Sequence, residues 1–187
     1  MLEKTLENTR KVSLLLTWIG GTLIVLSAFL VTAEVFLRKV FNISLGGADE
    51  LSGYAFGIAT AFSLAYALFE RAHIRVDALF NVMPPVLRPA VNFLGLILLL
   101  GFALVVVLMV WNMVGDTLKN GSRSITPMRV PLAYPQIPWL LGWMFFVFSG
   151  VLLGLVALKR WLRGDPNGVN DLIGIKTVDE QIQDESV

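Results

Sequence analysis

Four long apolar stretches, separated by short polar segments, dominate the pattern of this chain. They run from Val12 to Ala33, Leu51 to Phe69, Ala90 to Gly115 and Ile137 to Leu158. A helix needs about 20 residues to cross the roughly 30 Å hydrocarbon core of a membrane, because each residue rises about 1.5 Å. The pattern therefore predicts an all-α integral membrane protein with four transmembrane helices, spanning about residues 12–37, 50–69, 89–115 and 136–160.

The segments outside these stretches are too short for a further folded domain. The longest, Lys159 to Val187, falls far below the roughly 50 to 100 residues of a small domain. We therefore expect a membrane domain over residues 1–163 and a flexible cytoplasmic tail over residues 164–187. Within that tail, Val169 to Ile175 is the one apolar patch that is able to dock.

Basic residues set the expected orientation in the membrane. The N-terminal flank, the segment between helices two and three, and the tail together carry ten lysines and arginines, whereas the other two loops carry five. Because cytoplasmic loops are enriched in these residues, both termini are expected in the cytoplasm. The first apolar stretch exceeds the length of a signal peptide's apolar region, so we expect an uncleaved anchor.

The segment between helices two and three, Glu70 to Arg88, has a mixed pattern. Apolar side chains alternate there with charged ones, and the segment ends near Pro84 and Pro85. This pattern predicts a short segment that lies in the membrane interface. The third loop leads into helix four through Pro127, Pro131, Pro135 and Pro138, and we expect the chain to stay extended or turning from Ile125 to Pro138.

Composition excludes most catalytic and cofactor chemistry. Hydrophobic residues make up 56% of the chain and charged residues 16%, and there is no cysteine. The chain therefore forms no disulfide, iron-sulfur cluster or cysteine-zinc site. Its one histidine, His73, excludes bis-histidine haem ligation within the chain. We predict neither an enzyme nor a resident cofactor or metal.

Ionisable residues are confined to the ends of the predicted spans. Glu34 lies at the outer end of helix one, and Arg38 follows four residues later, which places opposite charges on one helix face. An ion pair that closes the helix end and a contact with a partner subunit are both open interpretations. Asp49 and Glu50 open helix two, where they either complement the helix dipole or serve a functional role.

Helix two carries a ridge of small side chains at every fourth position. Its members are Gly53, Gly57, Ala61 and Ala65. Small residues at this spacing let another helix approach closely inside a membrane. The ridge is predicted to contact either a helix of the same chain or a large partner subunit.

Several segments resemble the small membrane subunit of tripartite ATP-independent periplasmic (TRAP) transporters. The resemblance covers roughly Thr17 to Leu162. It rests on four spans of similar length, Arg38-x-x-Phe41, Asp49-Glu50, Ala67-x-x-x-Arg71-x-His73-Ile74-x-Val76 and Pro131-x-x-Tyr134-Pro135-x-x-Pro138-Trp139. Its charged motif residues are Glu34, Arg38, Asp49, Glu50, Arg71 and His73. Where that family often has a tryptophan before the acidic pair, this chain has Gly47-Ala48.

The resemblance implies a scaffold in a sodium-driven transporter of organic acids in a bacterial or archaeal cytoplasmic membrane. The implied partners are a large multi-helix membrane subunit, which carries the substrate, a periplasmic substrate-binding protein, and membrane lipids. Nucleic acid is not expected as a partner. The charged residues expected to steer docking of the periplasmic protein lie in two outer loops. They are Arg38, Lys39, Asp49 and Glu50 in the first loop and Lys119, Arg123 and Arg129 in the third.

Two other functions are kept as alternatives. An anchor for a respiratory or electron-transfer complex would require haem ligands from a partner protein. A small homodimeric exporter would require a membrane-embedded carboxylate, for which Glu34 is the only candidate. The transported substrate is not specified by this sequence.

Overall fold

A computed structural model describes residues 2–72, 84 and 87–174 of the chain. These residues form helices connected by short loops and one isolated β-bridge. The helices are α1 (Leu2–Phe41), α2 (Ala48–Phe69), α3 (Arg88–Asn120), α4 (Ala133–Leu162) and α5 (Pro166–Ile173). Among the described residues, α1 to α4 are long and apolar enough to cross a membrane. The prediction of four apolar helices is confirmed.

Helix α1 is longer than the predicted span at both ends. Its 40 residues correspond to about 60 Å, roughly twice the thickness of the hydrocarbon core. The first ten residues contain Lys4 and Arg10 but no proline or glycine, so nothing in this stretch interrupts the helix. The N-terminal turns therefore extend the apolar part of α1 as a charged helix.

Helix α4 begins earlier than the proline pattern predicts. The chain is helical from Ala133, so the expectation of an extended or turning approach as far as Pro138 is wrong. Pro135 lies in the first turn, where the missing N–H has no partner within the helix in any case. Pro138 is accommodated one turn further into the helix.

Helix α4 is the centre of the bundle, since it packs against each of the other helices. The main apolar core lies in the half of the bundle near the termini, where Phe146, Leu153 and Ala157 of α4 are buried. A smaller cluster of Val110, Val114 and Leu140 lies in the opposite half. Helix α1 packs mainly against α2 and leaves large apolar side chains such as Trp18 and Phe29 exposed.

Glycines provide the closest helix contacts. A Cβ atom added to Gly142 of α4 would lie 2.7 Å from the Cβ of Ala61 in α2, and one added to Gly20 of α1 would lie 3.0 Å from the Cα of Ala59. The distance at Gly142 leaves no room for a side chain, and at Gly20 the neighbouring main chain would have to shift by a few tenths of an ångström to admit one. The main chains of α1, α2 and α4 therefore approach one another closely without strong hydrophobic attraction, as is typical in membranes.

Helix α5 lies within the segment predicted to be a flexible tail. Its Val169 and Ile173 side chains are buried in the main core. The described part of the apolar patch that the sequence marks as able to dock therefore packs against the bundle. The side chain of Asn170 accepts a hydrogen bond from Asn92 Nδ2 at 2.9 Å. The rest of the predicted tail, residues 175–187, lies outside the described residues.

Candidate functional site

Two loops meet at the end of the bundle away from the chain termini. We call this the loop end: it consists of residues 42–47 between α1 and α2, residues 121–132 between α3 and α4, and the adjoining helix ends. The opposite end, which carries the N-terminus of α1, the end of α2 and α5, is the terminal end. Among the residues that the structure describes, the polar side-chain contacts between separate elements lie mostly at these two ends.

Glu34 organises the loop between α1 and α2. Its side chain is only 3% exposed, and Arg38 Nη2 lies 2.6 Å from its Oε1 atom. The ion pair indicated by the spacing of these two residues is therefore present. Ser44 Oγ donates a hydrogen bond to the same oxygen at 2.7 Å, and the backbone N–H of Leu45 donates to Oε2 at 2.7 Å. The buried carboxylate thus binds the loop to the end of α1.

The two donors from the loop could not be predicted from the spacing of charges. They reach Glu34 because the chain reverses direction after α1, where Asn42 adopts a left-handed conformation with φ of 53°. Asparagine is among the residues that tolerate this conformation best. The polar character of the turn was the only signal in the sequence.

Glu50 joins α2 to the distant loop before α4. Its carboxylate accepts hydrogen bonds from the hydroxyl of Tyr54, one turn along α2, and from that of Thr126. No side chain caps the N-terminus of α2, which begins after Gly47. Glu50 therefore makes a tertiary contact in addition to its favourable position near the helix dipole. Asp49, its neighbour, is exposed.

The loop of residues 121–132 is a small hairpin. Gly121 ends α3 in the left-handed conformation, with φ of 59°. The backbone N–H of Ser124 donates to the carbonyl of Val130 at 2.9 Å, and that of Leu132 donates to Ser122 at 3.1 Å. These bonds give the loop a fixed shape, and Ile125 is fully exposed at its tip.

The two loops are also in direct van der Waals contact. A Cβ atom added to Gly47 would lie 1.8 Å from the sulfur of Met128. Met128 thus occupies the space that a side chain at position 47 would need. The contact lies at the Gly47-Ala48 turn before α2. The methionine fills the gap from the other loop.

The basic residues singled out in the sequence are exposed on the loop end. Arg38 and Lys39 lie in the last turn of α1, and Lys119 lies in the last turn of α3. Arg123 and Arg129 are exposed in the hairpin, where Arg123 Nη1 also donates to the carbonyl of Arg129 at 3.3 Å. The loop end therefore presents several exposed cationic side chains beside the exposed carboxylate of Asp49.

The ridge of small residues on α2 has two halves with different surroundings. Ala61 and Ala65 are buried within the chain, and Ala61 lies against Gly142. Gly53 and Gly57 instead line an open cleft with a volume of about 180 Å³. The other residues of this cleft include Ile58, Met113, Pro135 and Trp139. One half of the ridge thus packs inside the chain, and the other half remains available.

The remaining motif residues lie apart from the loop end. Arg71 follows α2 at the terminal end and has a left-handed conformation with φ of 56°. His73 and most of the predicted interfacial segment lie outside the described residues. Over residues 2–72 and 87–174, no three side chains of histidine, cysteine, aspartate or glutamate come together in a way that could hold a metal ion.

Comparison with known proteins gives two matches, both to proteins of TRAP transporters. A family model described as "Tripartite ATP-independent periplasmic transporters, DctQ component" matches residues 27–165, more than half of the chain. A stretch of 75 residues, 40% of the chain, is 29% identical to the sialic acid TRAP transporter permease protein SiaT of Haemophilus influenzae (strain 86-028NP). The match spans only 12% of the length of that relative. No solved structure matches the chain.

Proposed function

Because this chain belongs to the DctQ family, the small membrane components of TRAP transporters, we propose that it is the scaffold subunit of such a transporter. The family consists of transporter membrane subunits and not of enzymes. In this proposal the chain braces a large membrane subunit, which carries substrate and sodium. It also helps to dock a periplasmic substrate-binding protein.

The observation that carries the proposal is the contrast between the helix middles and the loop end. Between the ends of the four spans the sequence has no aspartate, glutamate, lysine, arginine or histidine that could form an ion or substrate pathway. Polar contacts instead fix the shape of two loops, through Glu34 and through Glu50. A rigid surface with apolar helices below it is suited to holding other proteins in position.

The orientation follows from the docking role and from the distribution of basic residues. We place the loop end on the periplasmic side and both termini in the cytoplasm of a bacterial or archaeal cell. The positive-inside rule supports this orientation. The substrate class proposed is an organic acid, since the Haemophilus relative is named for sialic acid.

The exposed arginines of the hairpin provide the test of docking. Arg123→Glu and Arg129→Glu replace attraction by repulsion toward a partner of opposite charge, so docking of the periplasmic protein should slow. Uptake is measured in liposomes that contain both membrane subunits, with increasing salt. Arg163→Glu, an exposed arginine at the terminal end, is the matched control.

We expect a lower uptake rate for the two hairpin variants than for the unmodified complex. This difference in rate should become smaller at higher salt, because salt screens the charges. The control variant should keep its rate. Equal rates for all variants over the whole range of salt would contradict the docking role of the hairpin.

A further inference from the structure

A groove with charged walls lies at the terminal end of the bundle. We call it the terminal groove; its volume is about 320 Å³, and it lies between the first turns of α1, the end of α2, α4 and α5. Arg10 lies just before the apolar stretch of α1, Phe69 ends that of α2, and Arg160 follows that of α4. The groove is therefore at the level where the chain leaves the hydrocarbon core, which is the level of lipid headgroups.

The lining of the groove is apolar at its base and charged at its rim. Leu6, Phe69, Leu153 and Leu172 provide the apolar part. The charged part has groups of both signs: Glu3, Glu7 and Asp171 are acidic, and Arg10 and Arg160 are basic. Such a groove matches a ligand that has an apolar portion, an anionic group and a cationic group.

The charged groups have capacity for further hydrogen bonds. Arg10 pairs with Glu70 through Nη2 at 2.6 Å, and Arg160 donates from Nη1 to the carbonyl of Gly168 at 3.2 Å. A guanidinium has five N–H donors, so each arginine retains several. Glu7 pairs with Lys11, whereas Glu3 and Asp171 form no ion pair with another described residue.

We propose that the terminal groove binds phosphatidylethanolamine. The phosphate accepts hydrogen bonds from Arg10 and Arg160, the primary ammonium donates to Asp171 and Glu3, and the glycerol and first methylene groups lie on the apolar base. The charged rim distinguishes this lipid from others. Phosphatidylcholine has no N–H to donate, and phosphatidylglycerol has no cation to place beside the carboxylates.

The C-terminal residues are a less suitable occupant. Residues 175–187 contain Lys176 but also four acidic residues, Asp179, Glu180, Asp184 and Glu185. Their net negative charge is repelled by the three carboxylates of the rim. The lipid, with equal numbers of positive and negative charges, avoids this repulsion.

Native mass spectrometry of the purified, delipidated transporter complex tests the proposal. The three phospholipids are added at equal concentration with identical acyl chains. We expect phosphatidylethanolamine to be retained on the order of tenfold over phosphatidylcholine, because charge-assisted hydrogen bonds are lost with the methylated headgroup. Soluble glycerophosphoethanolamine should not displace it, since that compound lacks the acyl chains.

Two variants test the carboxylates and the arginine of the site separately. The double variant Glu3→Gln and Asp171→Asn should lose the preference for phosphatidylethanolamine, whereas Arg160→Gln should weaken retention of all three lipids. Asp116→Asn, an exposed carboxylate of α3 near the loop end, is the matched control and should behave as the unmodified protein. Circular dichroism establishes that each variant is folded.

Any one of several results would overturn the proposal. These are equal retention of the three lipids, a preference for phosphatidylglycerol, an unchanged preference in the double variant, and displacement of the lipid by soluble glycerophosphoethanolamine. Binding that occurs only after deletion of residues 175–187 would likewise overturn it, since it would make those residues the occupant. The proposal is independent of the docking role of the loop end.

Discussion

Thr126, in the hairpin before α4, donates a hydrogen bond to Glu50 at the start of α2, although the two residues are 76 positions apart in the chain. The contact links the hairpin to a helix that does not adjoin it in the sequence. Ser124 Oγ lies 2.9 Å from the hydroxyl of Thr126 and also accepts a bond from the N–H of Val130. The carboxylate of Glu50 is thus the anchor of a short polar chain that runs into the hairpin.

Removal of the Thr126 hydroxyl should loosen the hairpin. In Thr126→Val, Glu50 loses the bond from Thr126 and keeps the one from Tyr54, and the backbone bonds of Ser124 and Leu132 should open more often. Amide hydrogen exchange in residues 122–132 is expected to accelerate on the order of tenfold, the effect of losing one hydrogen bond to a charged group.

The control for this variant is Thr32→Val. The Thr32 hydroxyl is exposed and donates only to the carbonyl of Ala28 in its own helix. Exchange in the hairpin should not change in the control. If Thr126→Val and Thr32→Val gave the same exchange profile, the contact between Thr126 and Glu50 would not fix the hairpin.

Glu34 is expected to be the residue on which the first loop depends most. Glu34→Ala leaves Arg38, Ser44 and the N–H of Leu45 without their common acceptor. We expect a lower thermal unfolding temperature and faster exchange at Leu45. Glu7→Ala, which breaks an exposed ion pair of the same i,i+4 spacing, should have little effect on stability. Equal losses in the two variants would show that the loop contacts of Glu34 do not matter.

The contact between α2 and α4 should not tolerate even one additional methyl group. Gly142→Ala places a Cβ atom 2.7 Å from Ala61 Cβ and 2.9 Å from its carbonyl carbon, so the helices must separate. The expected destabilisation is about 1–3 kcal/mol. Gly101→Ala, which adds a methyl group where no atom lies within 4 Å, is the control for unfolding measured by thermal denaturation. A Gly142→Ala protein as stable as that control would refute the close packing.

Unlike Gly142, Gly57 should tolerate a larger side chain without loss of stability. Its added Cβ meets no atom of the chain within 4 Å, so Gly57→Leu is expected to fold normally but to fill the cleft beside α2. Under the scaffold proposal, less of the large membrane subunit should then copurify with the chain. Gly101→Leu, also at an open helix position, should not change the yield. Full copurification with Gly57→Leu would remove this cleft from the interface.

The sequence was informative where interactions are local. Apolar stretches of sufficient length predicted the four long helices, and the spacing of Glu34 and Arg38 predicted their ion pair. Both follow from helix geometry alone. The residue motifs also indicated the family that the comparison with known proteins establishes.

The contacts between distant segments could not be predicted. The bond from Thr126 to Glu50 and the position of Met128 beside Gly47 depend on how two loops meet after the helices have packed. The ridge on α2 looked uniform in sequence, yet its two halves have different neighbours, because Ala61 lies against Gly142 of α4 whereas Gly53 and Gly57 line an open cleft. Small-residue spacing alone does not identify the partner helix.

Reconstitution with defined subunits tests the central claim most directly. Accumulation of an organic acid driven by a sodium gradient is measured in three liposome preparations. The first contains this chain alone, the second contains the large membrane subunit and the periplasmic protein without this chain, and the third contains all three proteins. The scaffold account predicts no accumulation by the chain alone and full uptake only with all three proteins, because the helix middles carry no acidic, basic or histidine side chain for a pathway. Accumulation driven by this chain alone would contradict it.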